Sequence, residues 1–296
     1  MQIKTIAVIG GGTMGSGIAT ATAKAGLKTV LIEKTQDQAL RSLENITREL
    51  NVQIARWAMT EAEKKLVLTN LEVGSELPLV QDADLVIAAV PDDFELQEMI
   101  FKKLSDICQP DTIFSTVTGV LSITALASAL DHPEKMLGLH FLNPVLKTKL
   151  VEIVRGFRTS DETYATGKAF VSSLGKKSIE AFESSGVITT RLIVPLLNEA
   201  MYVLLEGVAS ADDIDMAMKL GYNMPVGPLE LADRIGLDIL LGFMEHLFKE
   251  TGESKFRPCP SLKKYVRAQY LGVKVGEGFF KYDKETGRRI PSRFPG

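Results

Sequence analysis

The stretch Ile9-Gly10-Gly11-Gly12-Thr13-Met14-Gly15 carries the spacing Gly-x-Gly-x-x-Gly and decides the fold of the first half of this chain. An apolar run from Ile3 to Ile9 leads into it, and a helical pattern of small residues from Ser16 to Lys24 follows it. A second apolar run covers Thr29 to Ile32. A strand, a helix and a strand within about thirty residues indicate a βαβ unit of a parallel sheet.

Each glycine of this spacing has a physical role in binding a dinucleotide. Gly10 makes the tight turn, Gly12 lets backbone amides approach a pyrophosphate, and Gly15 lets the helix pack closely on the strand. Glu33 ends the second strand, where a carboxylate accepts ribose hydroxyls and disfavours a 2′-phosphate. The pattern therefore favours NAD over NADP, although Lys34 weakens that preference slightly. A glycine-rich turn that only packs strand on helix, and an FAD site, are the alternatives.

The remaining apolar runs continue this pattern to about residue 184. Leu85 to Val90 is typical of a strand covered on both faces. Further strands are predicted at 112–116, 136–140, 150–154 and 177–181, a long helical pair at 36–65, and helices at 121–130 and 161–173. From Thr190 to Tyr270 the periodicity is helical, with Gly and Pro breaks.

These patterns predict an α/β fold with three segments. Residues 1–184 form a Rossmann-type domain, a mostly parallel sheet with helices on both faces and a helical-pair insertion. Residues 185–284 form a C-terminal all-α domain, and residues 285–296 form a polar, loose tail.

Composition excludes several classes of protein. The net charge of −3 over 296 residues is too close to neutral for a nucleic-acid-binding surface. No apolar run approaches the ~20 residues of a membrane span, and the N-terminal residues do not have the pattern of a signal peptide, so we expect a cytoplasmic protein without membrane contact. Cys108 and Cys259 lie far apart without metal-ligand spacing, so we expect free thiols and no metal site.

A histidine and a carboxylate lie on two short apolar runs near the middle of the chain. His140 lies in Gly138-Leu-His-Phe-Leu-Asn-Pro144, and Glu152 lies in Leu150-Val-Glu-Ile-Val154. If these runs are neighbouring strands, the imidazole can take the hydroxyl proton while an alcohol is oxidised by hydride transfer. The carboxylate fixes the ring tautomer and stabilises the imidazolium. A buried histidine without a catalytic role is the alternative.

These motifs together make the chain resemble the 3-hydroxyacyl-CoA dehydrogenase family, particularly its short bacterial 3-hydroxybutyryl-CoA members, over about residues 3 to 282. The motifs that carry the resemblance are Gly10-Gly-Gly-Thr-Met-Gly-Ser-Gly-Ile18, Gly138 to Pro144, Leu150-Val-Glu-Ile153, Pro195-Leu-Leu-Asn-Glu-Ala200, Asp213 to Gly221, Pro225-Val-Gly-Pro-Leu229, Ile235-Gly-Leu-Asp238 and Lys274-Val-Gly-Glu-Gly-Phe-Phe280.

The resemblance implies an NAD-binding first domain and a helical second domain that contributes to substrate binding and forms a homodimer. His140 matches the general base and Glu152 its partner. The cofactor contacts are then matched by Gly10, Gly12, Thr13, Met14, Gly15, Glu33, Ala89, Asp92, Gln97, Asn143 and Lys274.

The chain departs from the family around the substrate. The family has Asn-Thr-Ser-Ser-Leu where this chain has Val117-Thr-Gly-Val-Leu121, so Gly119 replaces the serine that touches the substrate oxygen. Thr190 replaces an asparagine that polarises the substrate, and Gln97 replaces a cofactor-side lysine. One lost oxyanion donor is worth about 3 kcal/mol of barrier. Thr118 and Thr190 could supply hydroxyls instead, or Gly119 could make room for another group.

The chain also departs from the family where the group that carries the acyl chain, CoA in the family, would bind. A basic position associated with CoA is Val52 here, while Arg56 keeps its charge. Three hypotheses remain: an NAD-dependent dehydrogenase of short-chain (S)-3-hydroxyacyl-CoA thioesters; the same chemistry on an acyl carrier protein or a free hydroxy acid; and a non-catalytic NAD-binding protein.

Overall fold

The computed structural model describes residues 2–283 and 286–291, and the chain divides into two compact units, Met1–Val187 and Ile188–Gly296. The sequence places this boundary at residue 184. The first unit extends further because the Gly186 N–H donates to the Gly119 carbonyl (3.0 Å) and the Val187 side chain is buried in its core.

The described part of the first unit contains one eight-stranded sheet in the order β3-β2-β1-β4-β5-β6-β7-β8. The strands are β1 (Thr5–Ile9), β2 (Lys28–Ile32), β3 (Leu71–Gly74), β4 (Leu85–Ala88), β5 (Ile113–Thr116), β6 (Met136–Phe141), β7 (Leu150–Arg155) and β8 (Lys177–Phe182). Every neighbouring pair is parallel except β6 and β7, which are antiparallel. The strand order reverses between β1 and β4, where ligands bind in such sheets.

Helices cover both faces of this sheet. They are α1 (Thr13–Lys24), α2 (Gln36–Ala55), α3 (Glu61–Asn70), α4 (Phe94–Ile107), α5 (Ile123–Ala127) and α6 (Asp161–Ser173). Buried side chains of α1, α2, α3 and α6 form one core cluster with the sheet, and those of α4 and α5 form a second cluster on the other face. Because both faces are covered, the central strands β1, β4, β5 and β6 are buried along nearly their whole length. The predicted fold class is confirmed.

Two predicted helices have different bounds in the structure. Helix α1 begins at Thr13, three residues before the predicted start, because the Gly12 carbonyl already accepts the Ser16 N–H (2.9 Å). The helical pair predicted at 36–65 is present as α2 and α3, but it ends later than predicted, at Asn70. The two helices are separated after α2, where Trp57 has a positive φ of 58°. Helix α3 then begins with a capping box in which Thr60 and Glu63 bond each other's backbone N–H groups.

The described residues of the second unit are helical, as predicted. They form α7 (Thr189–Leu205), α8 (Ala211–Tyr222), α9 (Pro228–Ile235), α10 (Leu237–Thr251) and α11 (Pro260–Arg267) around a third core cluster. Asn198 of α7 is buried, and its amide bonds the Arg257 carbonyl and the Cys259 N–H (both 2.9 Å). That asparagine joins α7 to the segment before α11.

Part of the predicted polar tail contacts other residues of the second unit. The Ile290 N–H donates to the Lys281 carbonyl (2.8 Å), and Arg289 pairs with Asp212 and lies over the Phe280 ring. Residues 286–291 are therefore hydrogen-bonded rather than loose. Residues 284, 285 and 292–296 lie outside the described part, so the prediction for them stays a prediction.

Candidate active site

The glycine-rich loop lies at the carboxyl edge of β1, at the point where the strand order reverses. Gly10 has a φ of 98°, a left-handed conformation that glycine adopts without strain. A Cβ on Gly15 would overlap the Gly10 carbonyl, so this position has to be glycine for α1 to approach β1. A Cβ on Gly12 would meet nothing within 4 Å. The loop thus leaves open space at Gly12, where α1 begins, and Thr13 and Met14 form the first turn of that helix.

Glu33 connects the end of β2 to this loop. Its Oε1 accepts the Gly11 N–H (2.9 Å) and the Ser42 hydroxyl of α2 (2.9 Å). A Cβ on Gly11 would come within 2.5 Å of that same oxygen. The carboxylate is therefore fixed beside the loop, where it can accept ribose hydroxyls. Sequence reasoning missed Ser42, although a hydroxyl in the first turns of the helix after Glu33 was a usable signal.

The segment after β4 contributes one residue that packs on the loop and one that is exposed. Ala89 lies against the loop, since Cβ atoms on Gly10 and Gly15 would come within 3.0–3.2 Å of it, and Asp92 is exposed. Gln97 is fully buried, with its amide bonded to the Thr116 hydroxyl (2.7 Å) and the Pro91 carbonyl (3.2 Å). Its amide therefore joins α4 to β5, and the predicted contact of Gln97 with the cofactor stays a prediction.

His140 and Glu152 form a buried pair across the antiparallel strands. The register of β6 and β7 places them directly opposite each other, so their side chains share one face of the sheet. His140 Nδ1 lies 2.5 Å from Glu152 Oε2, with 6% and 0% of the two residues exposed. When the ring is neutral, the carboxylate accepts a hydrogen bond from Nδ1–H, which leaves the Nε2 lone pair free to act as the base.

The other ring nitrogen faces residue 119. A Cβ on Gly119 would lie 2.9 Å from His140 Nε2 and 3.3 Å from the adjoining ring carbons. Thr118 is buried, and its hydroxyl oxygen accepts the Val120 N–H (3.0 Å) and the Leu121 N–H (2.9 Å). That oxygen therefore shapes the turn after β5, which leaves Thr118 one O–H to donate.

Asn143 lies on the loop that follows His140. It is exposed and precedes a cis peptide bond to Pro144. Lys176, just before β8, donates to the carbonyls of Val145 (2.5 Å) and Thr148 (2.6 Å), and its burial lowers the pKa of the ammonium. Sequence reasoning missed this lysine, which attaches the loop that contains Asn143 to the segment before β8.

Two predicted site residues lie in the second unit, one buried and one in an ion pair. Thr190 is buried in the first turn of α7, and Lys274 pairs with Asp238 (2.5 Å). In the first unit, Arg56 is exposed at the end of α2. Their predicted contacts with cofactor and substrate remain predictions.

The described residues lack the features of two other classes of site. No cluster of three or more His, Cys, Asp or Glu that could hold a metal ion occurs there, and no helix among those residues has the length and apolarity of a membrane span. Both cysteines are free, and burial raises the pKa of the Cys108 thiol to about 11.

The residues at the carboxyl edge of the sheet in the first unit fit a dinucleotide. Open space at Gly12, the helix N-terminus of α1 and the fixed carboxylate of Glu33 provide the contacts that a pyrophosphate and a ribose need. A buried histidine–carboxylate pair lies at the same edge. Fold and site together define a dinucleotide-dependent dehydrogenase of the α/β class.

Comparison with known proteins gives the family. A model described as the NAD binding domain of 3-hydroxyacyl-CoA dehydrogenase matches residues 5–184, and its C-terminal domain matches residues 186–282. A probable 3-hydroxybutyryl-CoA dehydrogenase of Bacillus subtilis is 41% identical over 97% of this chain and 100% of its own. The chain belongs to the 3-hydroxyacyl-CoA dehydrogenase family. Its predicted family, its NAD cofactor and its class as an oxidoreductase are thereby confirmed.

Solved structures agree with this assignment. The (S)-3-hydroxybutyryl-CoA dehydrogenase PaaH1 from Ralstonia eutropha has a TM-score of 0.88 and 38% identity, covering 95% of this chain and 100% of that one. FadB2 from M. tuberculosis has a TM-score of 0.93 and 34% identity, covering 96% and 100%.

Proposed function

We propose that the protein interconverts short-chain (S)-3-hydroxyacyl-CoA thioesters, of the 3-hydroxybutyryl kind, and their 3-oxoacyl forms. The observation that carries the proposal is the buried 2.5 Å contact of His140 Nδ1 with Glu152 Oε2, which leaves Nε2 as the base. The substrate class is supported by the names of the relatives from B. subtilis and R. eutropha.

The histidine and the carboxylate have separate roles in this reaction. His140 Nε2 takes the hydroxyl proton when the alcohol is oxidised and returns it when the ketone is reduced. Glu152 stays ionised, accepts a hydrogen bond from Nδ1–H throughout the reaction and stabilises the imidazolium. Burial strengthens that interaction. Bound NAD supplies the acceptor of the hydride.

Residues of the first unit are proposed to hold the cofactor at the carboxyl edge of the sheet. The N–H groups around Gly10 and Gly12 and the first turn of α1, with Thr13 and Met14, bind the pyrophosphate, and Glu33 binds the ribose. Ala89, Asp92 and Asn143 are proposed to line the path toward the nicotinamide. The cofactor contact of Lys274 rests on the family resemblance.

The proposed substrate contacts are Thr118, Gly119, Arg56 and Thr190. Thr118 is supported by its hydroxyl, whose oxygen accepts two backbone N–H groups and whose O–H can still donate to a substrate. Arg56 is supported by its charge and exposure on α2. The contact of Thr190 rests on the family resemblance.

Variants of the pair test this proposal. We expect His140→Ala to lower kcat for acetoacetyl-CoA by about 10²–10⁴-fold, because the general base is lost. Glu152→Gln should also lower kcat, because the amide stabilises the imidazolium less well. The dissociation constant for NADH, followed by fluorescence, should stay within about twofold in both, because neither group belongs to the dinucleotide loop.

The matched control is His132→Ala. His132 is also paired with a carboxylate, Glu134, but that pair is exposed. Its kcat should equal that of the wild type. Full activity of His140→Ala would refute the mechanism.

The carrier is tested with a substrate panel. CoA is proposed first because the relatives' names specify it. Faster turnover of the acyl-carrier-protein thioester, or of a free hydroxy acid, would replace CoA as the carrier. NADH binding without turnover of any of them would indicate a non-catalytic protein.

We also propose a cytoplasmic homodimer formed through the helical unit. Three large apolar side chains of α7 and α8 are exposed: Leu192 is 70%, Leu220 76% and Tyr222 77% exposed. Exposed apolar side chains of this size are typical of a surface that a second copy of the chain covers.

The double variant Leu192→Glu with Leu220→Glu should halve the mass measured by light scattering. The exposed pair Leu66→Glu with Leu79→Glu in the first unit is the control. An unchanged mass in the first double variant would contradict an interface on these helices.

A further inference from the structure

The backbone of Gly119 packs against the face of the His140 ring. A Cβ on Gly119 would lie 2.9 Å from Nε2 and 3.3 Å from each of the two carbons that flank it, Cδ2 and Cε1. A point in the plane of the ring, on the axis of the Nε2 lone pair, would lie much farther from those carbons, so this point lies over the ring face. Gly119 is buried, and its φ is not in the left-handed region. The missing side chain therefore serves this close contact rather than the turn.

Two contacts from different elements limit how the ring can turn. The last torsion of a histidine side chain, about the Cβ–Cγ bond, has broad preferences and does not fix the ring by itself. Glu152 on β7 holds Nδ1 at 2.5 Å. The backbone of residue 119 blocks the ring face beside Nε2. The direction of the Nε2 lone pair therefore depends on both the strand that carries Glu152 and the turn that contains Gly119.

The turn that contains Gly119 is held by the segment that follows β8. The Gly186 N–H donates to the Gly119 carbonyl (3.0 Å). Three residues earlier, the Glu183 carboxylate accepts the hydroxyls of Ser122 and Thr124 and also the Thr124 N–H (2.9 Å). Ser122 is the N-cap of α5, the helix into which this turn leads. Because one carboxylate makes all three bonds, it fixes the start of α5 and with it the end of the turn.

The same group of bonds reaches the end of the strand that carries Glu152. The Thr124 hydroxyl oxygen accepts the Phe157 N–H (2.7 Å), two residues beyond the end of β7. The Glu183 N–H donates to the carbonyl of Arg155, the last residue of β7 (3.0 Å). Glu183 is thus bonded to both structures that orient the ring.

We propose that Glu183 is a positioning residue for the reaction: it keeps the turn of residue 119 against the face of the His140 ring and so keeps Nε2 directed at the substrate hydroxyl. This inference rests on the proposed function, in which His140 is the base. The Glu183 carboxylate is engaged by three donors of the protein, so it acts through the supports of the ring and not on the substrate. A displacement of about 1 Å in a catalytic group can cost about 100-fold in rate, so a small shift of the turn is enough.

Kinetics of variants at both ends of these bonds test the inference. Glu183→Ala should lower kcat for acetoacetyl-CoA about 10- to 100-fold, with KM and the dissociation constant for NADH within about twofold of the wild type. The value of kcat is expressed per NADH-binding site, so that a loss of folded protein does not lower it. Thr124→Val removes one hydroxyl at nearly constant shape and should lower kcat in the same direction. Thr124→Ser keeps the hydroxyl and should keep kcat within about twofold.

The matched control is Glu180→Ala. Glu180 lies exposed on β8, the strand that leads to Glu183. Its removal should leave kcat unchanged, because Glu180 has no printed bond to the turn or to α5 in the described part of the chain. A loss of kcat in Glu180→Ala as large as that in Glu183→Ala would overturn the inference.

A spectroscopic readout follows the ring without any substrate. The chain has three histidines, so the ¹⁵N signals of a histidine-labelled sample are few, and His140→Gln identifies those of His140. At a pH where the ring is neutral, the wild type should show one protonated nitrogen, Nδ1, and one unprotonated nitrogen, Nε2. In Glu183→Ala the two shifts should move toward each other, because a ring that turns away from Glu152 loses its fixed tautomer.

Two results with Glu183→Ala would each overturn the inference: unchanged nitrogen shifts of His140, or an unchanged kcat per NADH-binding site. If Glu183→Ala does not fold, the pair at position 124 decides, and equal kcat in Thr124→Val and Thr124→Ser would overturn the inference. A wild type that turned over no thioester, with nitrogen shifts that still responded to Glu183→Ala, would overturn the proposed function and uphold the support of the ring by Glu183.

Discussion

Glycines 12 and 15 of the dinucleotide loop have different physical reasons for lacking a side chain. At Gly15 the protein itself fills the space, because a Cβ would overlap the Gly10 carbonyl. At Gly12 the protein leaves the space open. One glycine is thus required by packing inside the molecule, and the other is available to a ligand.

This difference predicts two separable defects. Gly15→Ala should lower the free energy of unfolding by about 1–3 kcal/mol through overpacking. Gly12→Ala should leave the unfolding free energy within about 0.5 kcal/mol of the wild type, since its Cβ meets no protein atom. Gly12→Ala should still weaken NADH binding, because the methyl occupies the space proposed for the pyrophosphate. Urea unfolding and NADH fluorescence measure the two effects, and unchanged NADH binding in Gly12→Ala would contradict the placement of the cofactor.

The sequence indicated which polar residues would lie in the site better than it indicated which atoms they would contact. His140, Glu152 and Glu33 were recognisable because a polar residue in an apolar run needs a partner. The burial of Gln97 was not recognisable, because its bonds to Thr116 and Pro91 join residues from different elements. The proximity of residue 119 to Nε2 likewise depends on how β5 and β6 pair.

At the scale of elements, Glu183 joins the end of β8 to the start of α5. Its carboxylate bonds the hydroxyls of Ser122 and Thr124, and it also accepts the Thr124 N–H (2.9 Å). Nearby, the Gly186 N–H donates to the Gly119 carbonyl (3.0 Å). The end of the first unit is therefore attached to the loop that passes beside His140. Sequence reasoning assigned Glu183 no role, although a carboxylate directly after a predicted strand was a usable signal.

Removing the charge of Glu183 should loosen this attachment. We expect Glu183→Gln to lower the free energy of unfolding by about 2 kcal/mol, because hydrogen bonds to a charged acceptor are lost or reversed. Glu180→Gln on the same strand is the control. Glu180 is exposed and paired with Arg155 at 3.3 Å, so its loss should cost less than about 1 kcal/mol. Equal effects of the two variants in urea unfolding would contradict the proposed role of Glu183.

At the scale of the whole molecule, the second unit contains a buried acid that links the stability of the fold to pH. Asp233 is 1% exposed and accepts the N–H groups of Phe279 (2.9 Å) and Phe280 (3.0 Å) and the Tyr282 hydroxyl (2.9 Å). Burial raises the pKa of this carboxyl to about 6 despite those bonds, and the charge of Asp215 raises it further. The folded state therefore holds this proton more tightly than the unfolded state.

The sign of the pH dependence follows from that difference. The contribution of Asp233 to stability is fully present below its ordinary pKa of 3.8 and is lost as the pH rises to about 6. The loss amounts to at most about 3 kcal/mol. Asp233→Asn should be less stable at every pH, because an amide NH₂ meets N–H donors, but it should lack this decline.

The measurement is the difference between the two unfolding profiles from pH 4 to 7, since other groups titrate alike in both proteins. Asp82→Asn, at an exposed position, should keep the wild-type profile. A parallel decline in wild type and Asp233→Asn would assign the pH dependence to other groups.

The sequence by itself determined the kind of elements and the chemistry they carry. Hydrophobic period and glycine spacing are local properties, so the βαβ unit, the all-α second unit and the histidine–carboxylate pair could be predicted without coordinates. Only the tertiary structure decided which atoms meet. The antiparallel register of β6 and β7 brings Glu152 to Nδ1, and the pairing of β5 with β6 leaves Gly119 beside Nε2. These contacts join residues distant in sequence, and long-range packing rather than local preference fixes such distances.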